Sequence, residues 1–135
     1  MAAIVIDESE LPIITVRWPH TVSDAEIAAM FERFDAIYAR AQPFVTLLDV
    51  RYAPLPSPNT LNLIARLAGS QVSNASKYAR ATGVVIPSRL LRGSLNTLFW
   101  IYTPPTPVHV FDTEADALAW IVTFLPKARS PSPSR

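Results

Sequence analysis

The 135-residue sequence predicts an α/β domain. The expected architecture is one layer of about five mixed, mostly parallel strands covered by four helices, in the order β-β-α-β-α-β-α-β-α. Three observations carry this expectation. From the second strand onward, β-branched runs and helical runs alternate strictly. The runs Phe44–Val50 and Gly83–Pro87 are apolar on both parities, as strands covered on both faces are. Eleven of the 13 prolines fall at joints between runs; only Pro131 and Pro133 lie beyond them.

Each element has its own local signal. Ala3–Asp7 and Ile13–Trp18 read as a hairpin or two adjacent strands, the single antiparallel pair of the sheet. Ser23 and Glu26 form a capping box, and Val22 with Ile27 forms the hydrophobic staple beside it. Ile27, Met30, Phe31, Phe34, Ile37, Tyr38 and Ala41 then recur at helical spacing, so a first helix runs to about Gln42. Phe44–Val50 is a buried strand. Ser57 caps the next helix and Pro58 suits its first position. That helix is expected over about Asn59–Ala81, with Leu61, Ile64, Ala65, Ala68, Val72 and Ala75 as its stripe. Gly83–Pro87 is a short strand, and Ser88 caps a third helix through Tyr102. Thr103-Pro104-Pro105-Thr106-Pro107 ends it. Val108–Phe111 is the last strand, and Thr113 caps a final helix to about Leu125. Residues 1–125 thus read as one domain. Residues 126–135 read as a basic Ser/Pro tail without packed structure.

Composition narrows the chemistry. Half the residues are hydrophobic and 17% are charged, enough for a real core. There is no cysteine, which excludes disulfides, thiolate catalysis and Cys-bearing metal sites. The three glycines form no phosphate-binding cluster, and the P-loop, G-x-G-x-x-G and G-x-S-x-G patterns are absent. His20 and His109 are the only histidines and share no metal-ligand spacing with the carboxylates. The expectation is therefore no catalytic residue, no metal and no cofactor: not an enzyme. The start lacks a basic n-region, and the apolar runs, such as Leu98–Tyr102, are far below the roughly 20 residues of a membrane span. A cytoplasmic protein without a transmembrane segment is expected.

Charge is split along the chain. Residues 1–49 carry a net charge of −5, and residues 50–135 carry +6. Between 50 and 111 there are six bases and no acid. Either the fold interleaves the two halves, or it presents a basic face to an anionic ligand, a lipid headgroup or an acidic partner. A net charge of +1 makes a nucleic-acid partner a poor expectation.

The element order, with Leu47-Leu48-Asp49 ending the central strand, Gly83-Val84-Val85-Ile86-Pro87-Ser88 before a Leu/Arg helix, and Val108–Asp112 followed by Glu114-Ala115 and Ala119-Trp120, resembles the STAS-like proteins. These are named for sulphate transporters and anti-sigma-factor antagonists, and a bacterial subset is grouped with lipid-binding CRAL-TRIO domains. The resemblance spans about residues 3–125 and implies a regulatory, protein-binding role. In anti-sigma antagonists a phosphorylated serine lies in an Asp-Ser-Ser-Gly run after the Leu-Leu-Asp strand. Here that run falls on Ser57-Pro58-Asn59-Thr60. The expected serine becomes Pro58 or Asn59, and the glycine is missing, so a phospho-switch is in doubt even with Ser57 and Thr60 adjacent.

Two places could hold a partner. In parallel sheets, ligands bind beyond the carboxyl ends of the strands. Ser57 and Ser88 open helices whose free amides favour an anion. Arg51, Arg89 and Arg92 could add bidentate contacts to a phosphate or carboxylate. The third helix is the second place. Its large apolar residues exceed one stripe, and Leu95, Phe99, Trp100 and Tyr102 are the expected interaction surface. The sequence thus favours a non-catalytic interaction and regulatory module, with self-association as one version. The alternative is a carrier or sensor of an anionic or lipid-like small ligand.

Overall fold

In the computed structural model, which describes residues 3–125, five strands form one sheet in the order β1-β2-β3-β4-β5. They are β1 (Val5–Glu10), β2 (Ile13–Arg17), β3 (Phe44–Asp49), β4 (Ala79–Val85) and β5 (Val108–Phe111). β1 pairs antiparallel with β2, and every later pairing is parallel. The helices are α1 (Asp24–Tyr38), α2 (Pro58–Ser70), α3 (Val72–Tyr78), α4 (Arg89–Ile101) and α5 (Glu114–Ile121), followed by one 3-10 turn, Val122–Phe124. The expected Ser/Pro tail lies outside the described residues.

Strand order equals chain order, so every crossover steps the same way. Right-handed crossovers that never reverse direction put their helices on one face. Side-chain parity agrees. Ile14, Val16, Phe44 and Ala79 pack with Ile37 and Tyr38 of α1 and Ala75 of α3. Val84 and Ile86 pack with Leu91 of α4 on the same face. The other parity, Val45, Leu47, Ala81 and Val85, meets Ala117 and Ile121 of α5. β3, apolar on both parities, is therefore the two-sided centre of the core, as its sequence implies.

α5 lies close to the sheet at Gly83. A Cβ there would come within 2.9 Å of Ile121 Cγ2 and 3.3 Å of Ala117 Cβ. That glycine is a packing requirement.

The structure has five α-helices where four were expected. The long helix over 59–81 divides at Gln71, whose φ −107°, ψ 4° leave the helical region. The Gln71 side chain is buried and donates to Phe31 O (2.7 Å) and Asp35 Oδ1 (2.9 Å) of α1. A buried amide without partners would be costly, and these two bonds hold the break against α1. The same segment then ends early. Each of the six β3 residues needs a ladder partner, so the chain is extended from Ala79 instead of Gly83. The caps follow the sequence. Ser23 and Glu26 form the full capping box, and Ser57, Ser88 and Thr113 each accept from the amide three residues on.

Candidate functional site

α4 begins where β4 and β5 end. Ser88 Oγ accepts the Leu91 amide at 3.3 Å, and Arg92 Nε donates to Ile86 O at 2.7 Å. Arg92 also pairs with Asp112, just past β5. With its start fixed, 3.6-residue periodicity decides which side chains turn inward. Leu91 is buried, and Leu95, Leu98, Phe99 and Tyr102 are half-buried. Gly93, Thr97 and Trp100 align on the outer face, with Leu90 and Ile101 along one flank. Trp100 is 91% exposed, Leu90 73% and Ile101 51%. No Asp, Glu, Lys or Arg occurs between Arg92 and Asp112, so the C-terminal part of this face, around Trp100 and Ile101, carries no charge, while exposed Arg89 lies at its start. Of the four residues expected at an interaction surface, Trp100 stands in solvent, while Leu95, Phe99 and Tyr102 turn inward. Leu90 and Ile101 share the outer flank. Their spacing from Thr97 on a helical projection is the signal that finds them.

Beneath α4 lies a cavity of about 210 Å³. The outer helices and the loop after α4 roof it over the sheet. Phe34, Ala68, Leu95, Phe99 and Tyr102 are among its lining, with Thr46 on its floor. The wall is almost wholly apolar. Tyr38 and Tyr102 also face it. Burial, followed by the neighbouring Tyr102 and Asp35, pushes the Tyr38 phenol up to about 12, and burial raises Tyr102 as well. Both stay neutral across the physiological range, so the cavity is uncharged.

On the α5 side of the sheet the strand ends carry an ion network. The parallel register sets Arg17 beside Asp49. Arg17 donates to Asp49 Oδ2 at 2.7 Å and to both Glu114 oxygens at 2.8 and 3.1 Å. The Arg51 side chain donates to both Asp49 oxygens at 2.9 and 2.8 Å, and its amide donates at 3.1 Å. Asp49 is 3% exposed. Burial alone would raise its pKa, but the bonds from Arg51 and Arg17 outweigh that and hold the carboxyl below its ordinary value. The Arg17 hydrogen bond likewise lowers Glu114.

This network bears on the expected anion site. The guanidinium of Arg51 is occupied by Asp49, beside α5, on the opposite side of the sheet from α4. Arg92 is occupied by Asp112 and Ile86 O. Ser57 caps α2, accepting the Thr60 amide at 3.1 Å, and the Thr60 hydroxyl donates to Asp24 at 3.0 Å. Ser88 and Arg89 lie at the start of α4, where Arg89 is exposed. The five residues are not gathered into one cluster. Arg51 meets Asp49, two residues earlier, and lies near Glu114, while Arg92 meets Asp112, so both arginines are already paired with acids. Arg17 is the residue the sequence reading overlooks. Its position at the last ladder step of a strand, beside a strand ending in aspartate, is the available signal.

The histidines sit among aromatics. The His109 ring lies 4.8 Å from Phe111 and 5.6 Å from Trp120, and His20 lies 5.4 Å from Tyr52. Among the described residues, no three His, Asp or Glu side chains group as metal ligands. No described helix is long and apolar enough to cross a membrane.

With this geometry, comparison among solved structures finds this fold in other proteins, two of which illustrate it. An anti-sigma factor antagonist from Mycobacterium paratuberculosis superimposes with a TM-score of 0.54 at 12% identity, covering 89% of this chain and 93% of that one. An uncharacterised DUF3478 protein from Shewanella loihica, described as having a SpoIIAA-like fold, gives 0.58 at 17% identity, covering 88% and 92%. No family model matches the chain, and no curated protein does. The fold is STAS-like.

Proposed function

We propose that the chain is a non-catalytic regulatory module of the cytoplasm that binds another protein through the outer face of α4. The observation that carries this reading is Trp100, almost fully exposed with Ile101 next to it and exposed Leu90 nearly three turns earlier on the same helix. Tryptophan is among the residue types enriched at binding hot spots, and large apolar side chains left in solvent on a small domain favour a docking role. Two further observations support it. The fold is shared with an anti-sigma factor antagonist. The most buried carboxylate, Asp49, is fully engaged by Arg17 and Arg51, which gives it a structural role in place of general acid–base work. The reading needs no phosphorylation, since the Ser57 hydroxyl is already engaged as the cap of α2.

Site-specific photo-crosslinking in cells tests it. A photoreactive side chain at position 100 is expected to give one defined protein adduct, and the same group at exposed Asn62 on α2 none. Equal labelling at both positions, or none at either, overturns the reading.

The cavity favours a second reading, a carrier of a small apolar molecule. At about 210 Å³, it exceeds the roughly 150 Å³ that admits benzene and falls short of the roughly 300 Å³ of a drug-sized pocket. Native mass spectrometry would show a co-purifying ligand that Ala68→Leu displaces. A bare mass for the unaltered protein counts against this reading.

A further inference from the structure

We propose that the partner of the α4 face is a second copy of this chain, docked antiparallel about a two-fold axis near Asn96 and Thr97, with Trp100 of each copy seated on Gly93 of the other. The proposal rests on α4 being a docking face and names its occupant.

The argument starts from self-complementarity. A two-fold interface must present a patch that fits itself, each protrusion meeting a depression related by the axis. α4 carries both on one line. Trp100 is its largest protrusion. Gly93, seven residues earlier on the same face, is its flattest point: a Cβ built there meets nothing within 4 Å. An axis midway between them falls at Asn96–Thr97. An antiparallel copy then places each Trp100 over the opposite Gly93, twice per dimer.

The flanks agree. A two-fold axis perpendicular to two antiparallel helices keeps each flank on its own side. Leu90 of one copy then comes within reach of Ile101 of the other along an apolar margin. Arg89, with Asn96, borders the polar margin. Charge selects the orientation. All the charge of α4 lies in its first turn, at Arg89 and Arg92. A parallel pair would stack these arginines, whereas the antiparallel pair sets them at opposite ends, each beside the other helix's C-terminal carbonyls. A 13-residue helix makes a seam of about 20 Å. That is a small interface, so a reversible, concentration-dependent dimer is expected.

Analytical ultracentrifugation of the full chain over a concentration series, paired with charge-pair rescue, tests this. The unaltered protein is expected to pass from monomer to dimer with rising concentration. Trp100→Lys and Gly93→Glu are each expected to weaken dimerisation at least tenfold. Both sites are open to solvent, so circular dichroism should stay unchanged. Mixing the two variants is expected to recover association, because only the antiparallel register brings Lys at 100 opposite Glu at 93. A strict monomer at every concentration overturns the proposal, as does a dimer indifferent to both variants or a mixture that recovers nothing. A position-100 crosslink to a different protein, with no self-adduct, leaves the docking face standing and removes the second copy as its occupant.

Discussion

Asp49 shows how one buried charge is kept in place. Three nitrogens from Arg51 and one from Arg17 satisfy it at the end of β3. Its carboxyl is held below the ordinary value, and so is that of Glu114. A depressed acid contributes stability that is complete above its unfolded pKa and is lost as pH falls through the folded one. Unfolding free energy should therefore hold steady down to about pH 4 and decline below it. Asp49→Asn should lower stability by about 1–3 kcal/mol at neutral pH and flatten that acid decline. Denaturant titrations at several pH values check both. Gly83 is a second single-residue requirement. Gly83→Val would drive a side chain into Ile121 and Ala117, costing about 1–3 kcal/mol of overpacking strain, visible as a lower thermal midpoint.

Caps belong to the scale of elements. Ser57 satisfies the Thr60 amide and opens α2, so Ser57→Ala should cost about 1 kcal/mol, measured by the same titrations. The caps were legible because each uses a short, local pattern. β3 was legible because no amphipathic element reads apolar on both parities. The division of α2 from α3 was not. It depends on Gln71 reaching Phe31 and Asp35, some forty residues earlier in the chain, and helical periodicity carries no trace of such a bond. α4 was legible only in part. Its apolar surplus was evident, but which residues face outward depends on how Ser88 and Arg92 fix its start. Trp100→Lys should leave folding stability within about 0.5 kcal/mol, the range of ordinary surface substitutions, even as it abolishes docking. A large loss of stability would place that side chain in the core instead.

The molecule as a whole is a sheet with helices laid unequally on its two faces. Strand order never reverses, so the described sheet has no switch point of the kind that opens a ligand crevice beyond strand ends. That topology, unreadable from the order of elements alone, explains why the cap serines and arginines do not converge. Charges of the two halves meet on the α5 side of the sheet, at Arg17, Asp49, Arg51 and Glu114. On α4, Trp100, Leu90 and Ile101 are left in solvent. On the proposed reading, this face is covered when the protein works. Hydroxyl-radical footprinting of Trp100 measures that directly. Rapid oxidation is expected in dilute purified protein and strong protection inside cells, with exposed Tyr52 oxidised equally in both settings. Equal oxidation of Trp100 in dilute solution and in cells would contradict it.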